Sequence, residues 1–214
     1  MVDFQSRDTD RGTDAAETDE EEPSDEPAST DDSPDSQPAT AEATEQLDLS
    51  ELCYAVVTVA GDRSISEDAQ GDVVVEAIEG DDGTVTTRDL IQPSYDGVQS
   101  TMTRLTDRDD VDVVVVIGGT GIEPDDVTVE AVEPLFSKQL PGFGELFRLL
   151  AHEEKGSAVV GTRTTAGVID NAPVFAVPGT IDGALLATDE IILPEAPSLV
   201  ADANGLAPPD QPDW

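Results

Sequence analysis

The sequence predicts an α/β protein built on a doubly wound, mostly parallel sheet with helices on both faces. Three observations carry that expectation. Short valine-rich runs alternate along the chain with segments whose apolar residues recur at helical spacing. The valine run at residues 111–117 reads as a central parallel strand buried on both faces. It ends in a glycine-rich turn, "IGGTGIEPDD", at the place where open α/β sheets hold their ligands, beyond the carboxyl ends of the strands.

Taken in order, residues 1–46 are acid, Ser, Thr and Pro with almost nothing to bury, so this tail is expected to be disordered. An ordered domain is expected over residues 47–200, with a flexible end at 201–214. "CYAVVTVA" (53–60) is a short apolar run bounded by "GDRS" and suits a buried strand. "GDVVVEAIEG" (71–80) reads as a helix stopped by Gly80, and "TVTTRDLI" (84–91) as a second strand. "YDGVQSTMTRL" (95–105) puts Val98, Met102 and Leu105 on one helical face.

After the glycine turn, Thr128 is expected to cap a helix over "VEAVEPLF", with Glu130 in its first turn. "GFGELFRLLAHEEKG" reads as a longer helix with Phe143, Leu146, Phe147 and Leu150 on one side and Gly156 as its stop. "SAVVGT" and "APVFAVPG" read as strands, and "GALLATDEIILPEA" as a closing helix.

Acidic residues outnumber Lys and Arg 48 to 10, and the formal net charge is -38. Nucleic acid and anionic membranes are poor partners for such a chain, because both require a basic face. A cytoplasm of very high salt accounts for the balance, since the Debye length there falls to about 3 Å and the carboxylates cease to repel one another. Cys53 stands alone, so no disulfide forms within the chain; a reducing compartment and a role as a small buried hydrophobe are expected. His152 is the single histidine, which excludes a His-rich metal site. No stretch is apolar enough to span a bilayer and no signal-peptide core opens the chain, so a cytoplasmic location is expected.

The chemistry is expected in the glycine turn. Gly118, Gly119 and Gly121 let bare backbone approach a ligand and direct N–H groups at phosphate oxygens, although the same letters also serve a plain strand-to-helix turn. Neither a P-loop nor a G-x-G-x-x-G fingerprint is present. A phosphate here would meet Asp125 and Asp126, and a divalent cation resolves that conflict, with Asp126 the better ligand. Asp126 also suits a turn-forming role.

The block from Ile117 to Thr180, with GGTG, DVT, PGFGE, TR-x-TAG and PG-T at these spacings, closely resembles the MogA/MoaB family of molybdenum-cofactor biosynthesis proteins. The resemblance extends more weakly from Cys53 to about Leu199. It implies a parallel-sheet α/β domain that assembles as a homotrimer or homohexamer, binds molybdopterin, and in active members adenylylates its terminal phosphate with ATP and Mg2+, releasing pyrophosphate. No tightly bound cofactor is expected, and a downstream molybdenum-insertion protein is a candidate partner.

Carried over by position, Gly118, Gly119, Thr120 and Gly121 would cradle phosphate, and Asp126 would be the catalytic, metal-associated aspartate with Asp125 beside it. Gly142, Phe143, Gly144 and Glu145 match the pterin-side block. Arg163 matches the basic residue before the TAG segment, and Pro178, Gly179 and Thr180 the loop after the last strand. Without the family, Glu145 and Arg148 read as an exposed ion pair one turn apart.

Several positions depart from the family. Its "SDTR" loop is here "AGDR", starting at Ala60 and Gly61; its "D-x-SG" is "DAQG", with Gln70; and its aspartate after the second strand is Ser94, with Asp96 two residues on. Two readings stay open: an adenylyltransferase, or a catalytically weak protein of the same fold that binds or carries molybdopterin.

Overall fold

Four parallel strands occupy one side of a six-stranded sheet: Cys53–Val59 (β1), Thr84–Ile91 (β2), Val113–Ile117 (β3) and Ala172–Val177 (β6). Lys138–Gln139 (β4) and Thr165–Ile169 (β5) complete it, and the order across the sheet is β2-β1-β3-β6-β5-β4. This computed structural model describes residues 48–49, 51–61 and 64–207, all within the compact unit Glu45–Trp214. The acidic tail at 1–46, Asp62 and Arg63 of the first loop, and residues 208–214 lie outside the described residues.

The helices are Ala69–Gly80 (α1), Tyr95–Thr106 (α2), Thr128–Val132 (α3), Pro141–Lys155 (α4), Ile181–Ala187 (α5) and Leu193–Ala203 (α6). Period-2 alternation along β3 assigns them to two faces. Val113, Val115 and Ile117 pack with Val74 and Ile78 of α1, Phe143 and Phe147 of α4, and Val200 of α6. Val114 and Val116 face the other way, onto Val98, Met102 and Leu105 of α2 and onto Val132 of α3. Every residue of β3 and β6 is buried, as strands covered on both sides must be. β2, at the sheet edge, is only half-buried.

Winding reverses between β1 and β3. The chain leaves β1 toward β2 on one side, then returns past β1 to place β3 on the other. The loops after β1, β3 and β6 therefore gather at one end of the sheet, beside that reversal, where a crevice is geometrically forced. No described helix is long and apolar enough to cross a membrane.

Five expectations are corrected. "SAVVGT" is not a strand: Gly156–Gly161 winds as a 3-10 helix against α4. The strand lies later, at β5, and pairs antiparallel with β6 through a tight hairpin whose two turn residues, Asp170 (φ 46) and Asn171 (φ 72), take the left-handed conformation that such a turn requires. Gly80 is the last residue of α1 rather than its stop; the positive φ falls on Asp82, and Gly83 N–H closes the turn onto Ile78 O at 3.0 Å. The valine strand starts at Val113, because Asp112 accepts from Cys53 N–H with its side chain at 2.7 Å. Finally, the closing helix is longer than expected and not uniform. Pro194 and Pro197 cannot donate to the carbonyls four residues back, and one π-type turn at Thr188–Ile192 joins α5 to α6. The helix runs past the expected boundary at residue 200, with Val200 and Ala201 buried.

Candidate functional site

The turn after β3 is built around its carbonyls. Gly118 (φ 95) and Gly119 (φ 66) take backbone conformations that L side chains rarely adopt, so the chain doubles back immediately beyond the sheet. Thr128 Oγ1 donates to Gly118 O at 2.8 Å and Thr128 N–H to Gly119 O at 3.0 Å. Arg163 N–H donates to Thr120 O at 3.0 Å, and Arg163 Nε to Gly121 O at 2.6 Å. All four carbonyls of the GGTG segment are thereby turned onto the framework. The N–H groups of Gly119, Thr120 and Gly121 make no hydrogen bond among the described residues. A row of uncommitted N–H donors in a concave turn is what an anion requires.

Thr128 and Arg163 thus have roles that differ from those expected. Thr128 is the first residue of α3 rather than its cap, and its buried hydroxyl ties the turn. Arg163, expected to face phosphate, is placed as a clamp: besides Gly121 O it donates through Nη2 to Asp126 O at 3.0 Å and through Nη1 to Glu130. That arginine holds the Glu130 carboxyl below the usual carboxylate range, chiefly through its hydrogen bond.

Asp126 closes the turn with one oxygen and leaves the other. Its Oδ2 accepts from Glu123 N–H at 2.8 Å, reaching three residues back along the chain, while Oδ1 makes no hydrogen bond among the described residues. Asp125 is exposed and outside the crevice. Glu123, which the sequence did not single out, does line the crevice.

The expected residues divide among three neighbouring hollows. Gly119, Thr120, Gly121, Asp126 and the Pro178–Gly179–Thr180 loop line a cavity of about 550 Å³. Thr180 also caps α5, its Oγ1 accepting from Gly183 N–H at 3.3 Å. Through Thr162 this cavity adjoins a second, of about 450 Å³, where Gly144, Glu145 and Arg163 lie. Gly142 and Phe143 fall elsewhere, in an apolar depression. Phe143 is a core residue, packed edge-on against Phe175 with ring centroids 5.2 Å apart. Gly118 is buried behind the turn. Leu146, expected on the buried side of α4, is exposed.

Ser94, one of the departing positions, is taken up in a framework bond, as is Asp68 at the start of "DAQG". Ser94 caps α2, Oγ accepting from Gly97 N–H at 3.2 Å, and Asp96 is exposed in the first turn of that helix, lining neither cavity. Asp68, 0 % exposed, caps α1 through Gly71 N–H, accepts from Thr58 Oγ1 at 2.8 Å and pairs with Arg88 at 3.2 Å. That buried acid orders the end of the β1 loop. Among the described residues no group of three or more His, Cys, Asp or Glu could hold a metal on its own.

Residues 51–198 match the family described as "Probable molybdopterin binding domain". The chain is 38% identical over 146 residues to the molybdenum cofactor biosynthesis protein B of Bacillus subtilis, covering 68% of this chain and 86% of that one. Among solved structures, a molybdenum cofactor biosynthesis protein B superposes with a TM-score of 0.71 at 32% identity, over 74% of this chain and 99% of the other. The tungsten cofactor synthesizing protein MoaB from Pyrococcus furiosus superposes with a TM-score of 0.64 at 33% identity, over 72% and 97%.

Proposed function

This chain belongs to the MogA/MoaB family, and from that premise we propose that it acts in molybdenum-cofactor biosynthesis by binding molybdopterin and adenylylating its terminal phosphate with ATP. One observation carries the reading: four carbonyls of the GGTG turn are tied back, while the N–H groups of Gly119, Thr120 and Gly121, which line the larger cavity, make no hydrogen bond among the described residues. Those donors receive the phosphate, and the Pro178–Gly179–Thr180 loop lines the same cavity. Transfer between phosphates depends mainly on positioning and charge neutralisation, so fixed N–H dipoles suit it.

Mg2+ fits the donor set in one respect. It typically binds through one or two carboxylates together with substrate phosphates, and Asp126 offers Oδ1 while Oδ2 is anchored. When bound there, the ion would neutralise phosphate charge beside an acidic turn. Asp126 orients that carboxylate through the Glu123 N–H bond, and Thr128 and Arg163 keep the donors in place.

A second reading, a protein that binds and delivers molybdopterin without transferring AMP, rests on Ser94. Where the family pattern has a carboxylate, this hydroxyl caps a helix. The two readings separate in one assay: the protein in molar KCl with molybdopterin, Mg2+ and labelled ATP, following pyrophosphate release beside pterin binding. Release that falls about 100-fold or more in Asp126→Ala is the expected outcome. Tight pterin binding with no release from the unaltered protein would leave only the carrier reading.

High salt belongs to the same proposal. With a net charge of -38, the midpoint of thermal unfolding is expected to climb as KCl is raised from about 0.1 M to about 1 M, where the Debye length shortens from about 10 Å to about 3 Å. A midpoint indifferent to KCl would remove the high-salt assignment. The larger assembly, a homotrimer or homohexamer, is likewise proposed from the family alone.

A further inference from the structure

Arg88 projects from β2, the outermost strand on its side of the sheet, and its guanidinium meets the start of α1. Nη2 donates to Asp68 O at 3.0 Å and to Asp68 Oδ2 at 3.2 Å, and Nη1 pairs with Asp72 Oδ1 at 2.7 Å. Nε is buried and has no hydrogen-bond partner among the described residues. A buried donor without a partner costs stability, so the aim of the fork at Asp68 and Asp72 outweighs a missing bond.

Asp68 joins three elements. Fully buried, it accepts from Gly71 N–H of α1 at 3.1 Å, from Thr58 Oγ1 of β1 at 2.8 Å, and from Arg88 of β2. Gly71 leaves the room: a Cβ there would stand 2.1 Å from Asp68 Oδ2 and 3.0 Å from Arg88 Nη2. A carboxylate so placed needs its donors, and one of them must carry the compensating charge. Thr58 takes the arrangement to the phosphate turn. In the parallel register of β1 and β3 it lies beside Ile117, one residue before that turn begins. Val59 O, next along, is 2.8 Å from the point a Cβ of Gly118 would occupy. The end of β1 is thus the backing of the glycine turn, and Asp68 holds that end through the Thr58 hydroxyl.

We propose that Arg88 is a positioning residue for the phosphate turn: through Asp68 and Thr58 it keeps the end of β1 against Gly118, and so keeps the N–H groups of Gly119, Thr120 and Gly121 in register for an anion. The proposal rests on the molybdopterin reading for the identity of that anion. Arg88, Asp68 and Thr58 line neither of the two adjoining cavities, so they act only through the turn. A network of this kind reaches a binding site only if its members are coupled, and double variants measure that coupling.

The test uses the full chain in molar KCl and two readouts: molybdopterin affinity, and the amide proton and nitrogen chemical shifts of Gly119 and Gly121 without ligand. Arg88→Met is expected to weaken molybdopterin binding roughly 3- to 30-fold, the range that residues off a site exert through a packed network, and to move both shifts. Adding Asp68→Asn should recover part of that loss, because the amide still accepts from Gly71 N–H and no unpaired charge stays buried. Thr58→Val, nearly the same shape, breaks only the last link and should move the same shifts. Ile78→Ala, at the other end of α1, should lower the melting temperature and leave both readouts as they were. Unmoved shifts in Thr58→Val, losses that simply add in the double variant, or equal shifts in Ile78→Ala overturn the proposal. An unaltered protein that does not bind molybdopterin removes the molybdopterin reading, and the shifts still decide whether Arg88 positions the turn.

Discussion

Arg163→Met is expected to reduce the proposed adenylyl transfer by on the order of 100-fold, the scale at which a misplacement of about 1 Å is felt in an active site. The substitution removes three framework bonds at once, to Gly121 O, Asp126 O and Glu130. The turn then has two carbonyls free to rotate toward the cavity, and a carbonyl facing a phosphate repels what an N–H attracts. Stability should also fall, by about 1–3 kcal/mol, measured by urea unfolding, because carbonyls that had a donor are left part-buried without one. Arg163→Lys discriminates the clamp from a simple electrostatic role. A single ammonium cannot span three acceptors in different directions, so lysine should rescue little. A lysine variant with full activity would show that charge alone matters at this position.

Gly119→Ala is expected to lower stability by about 2–4 kcal/mol and to abolish measurable molybdopterin binding. Two penalties combine. The residue's φ of 66 is left-handed, which for alanine costs on the order of 1–2 kcal/mol. Its Cβ would also stand 2.3 Å from Thr128 Oγ1, so Thr128 must move and give up its bond to Gly118 O. Because the steric penalty passes through Thr128, the double variant Gly119→Ala/Thr128→Ala should be less destabilised than the sum of its parts. Additive losses would mean that the alanine acts through backbone strain alone.

Much of this architecture was legible because the signals are local. The valine run that becomes β3 declares burial on both faces, and the two face sets, Val113 with Val115 and Val114 with Val116, follow from the period of the strand. The helix over Tyr95–Thr106 shows its buried face in the spacing of Val98, Met102 and Leu105. The hairpin signal was present too, in "VIDNAPVF", but the neighbouring "SAVVGT" offered β-branched residues at the wrong place. Local propensity could not weigh one against the other, because packing of Gly156–Gly161 against α4 decides it.

The site divides along the same line. Composition and spacing alone determined that a glycine turn follows the central strand, that acid surrounds it, and that the family's loops recur in order. Only the folded chain decided which of those residues line the cavities. In sequence, Arg163 matches the family's basic residue before the TAG segment and Arg148 reads as an ion-pair partner of Glu145. One has its guanidinium drawn onto Gly121 O, Asp126 O and Glu130, and the other lies open across Gly144. The physical reason is that a donor's availability depends on which acceptors the fold brings within about 3 Å of it, and those acceptors come from segments far away along the chain.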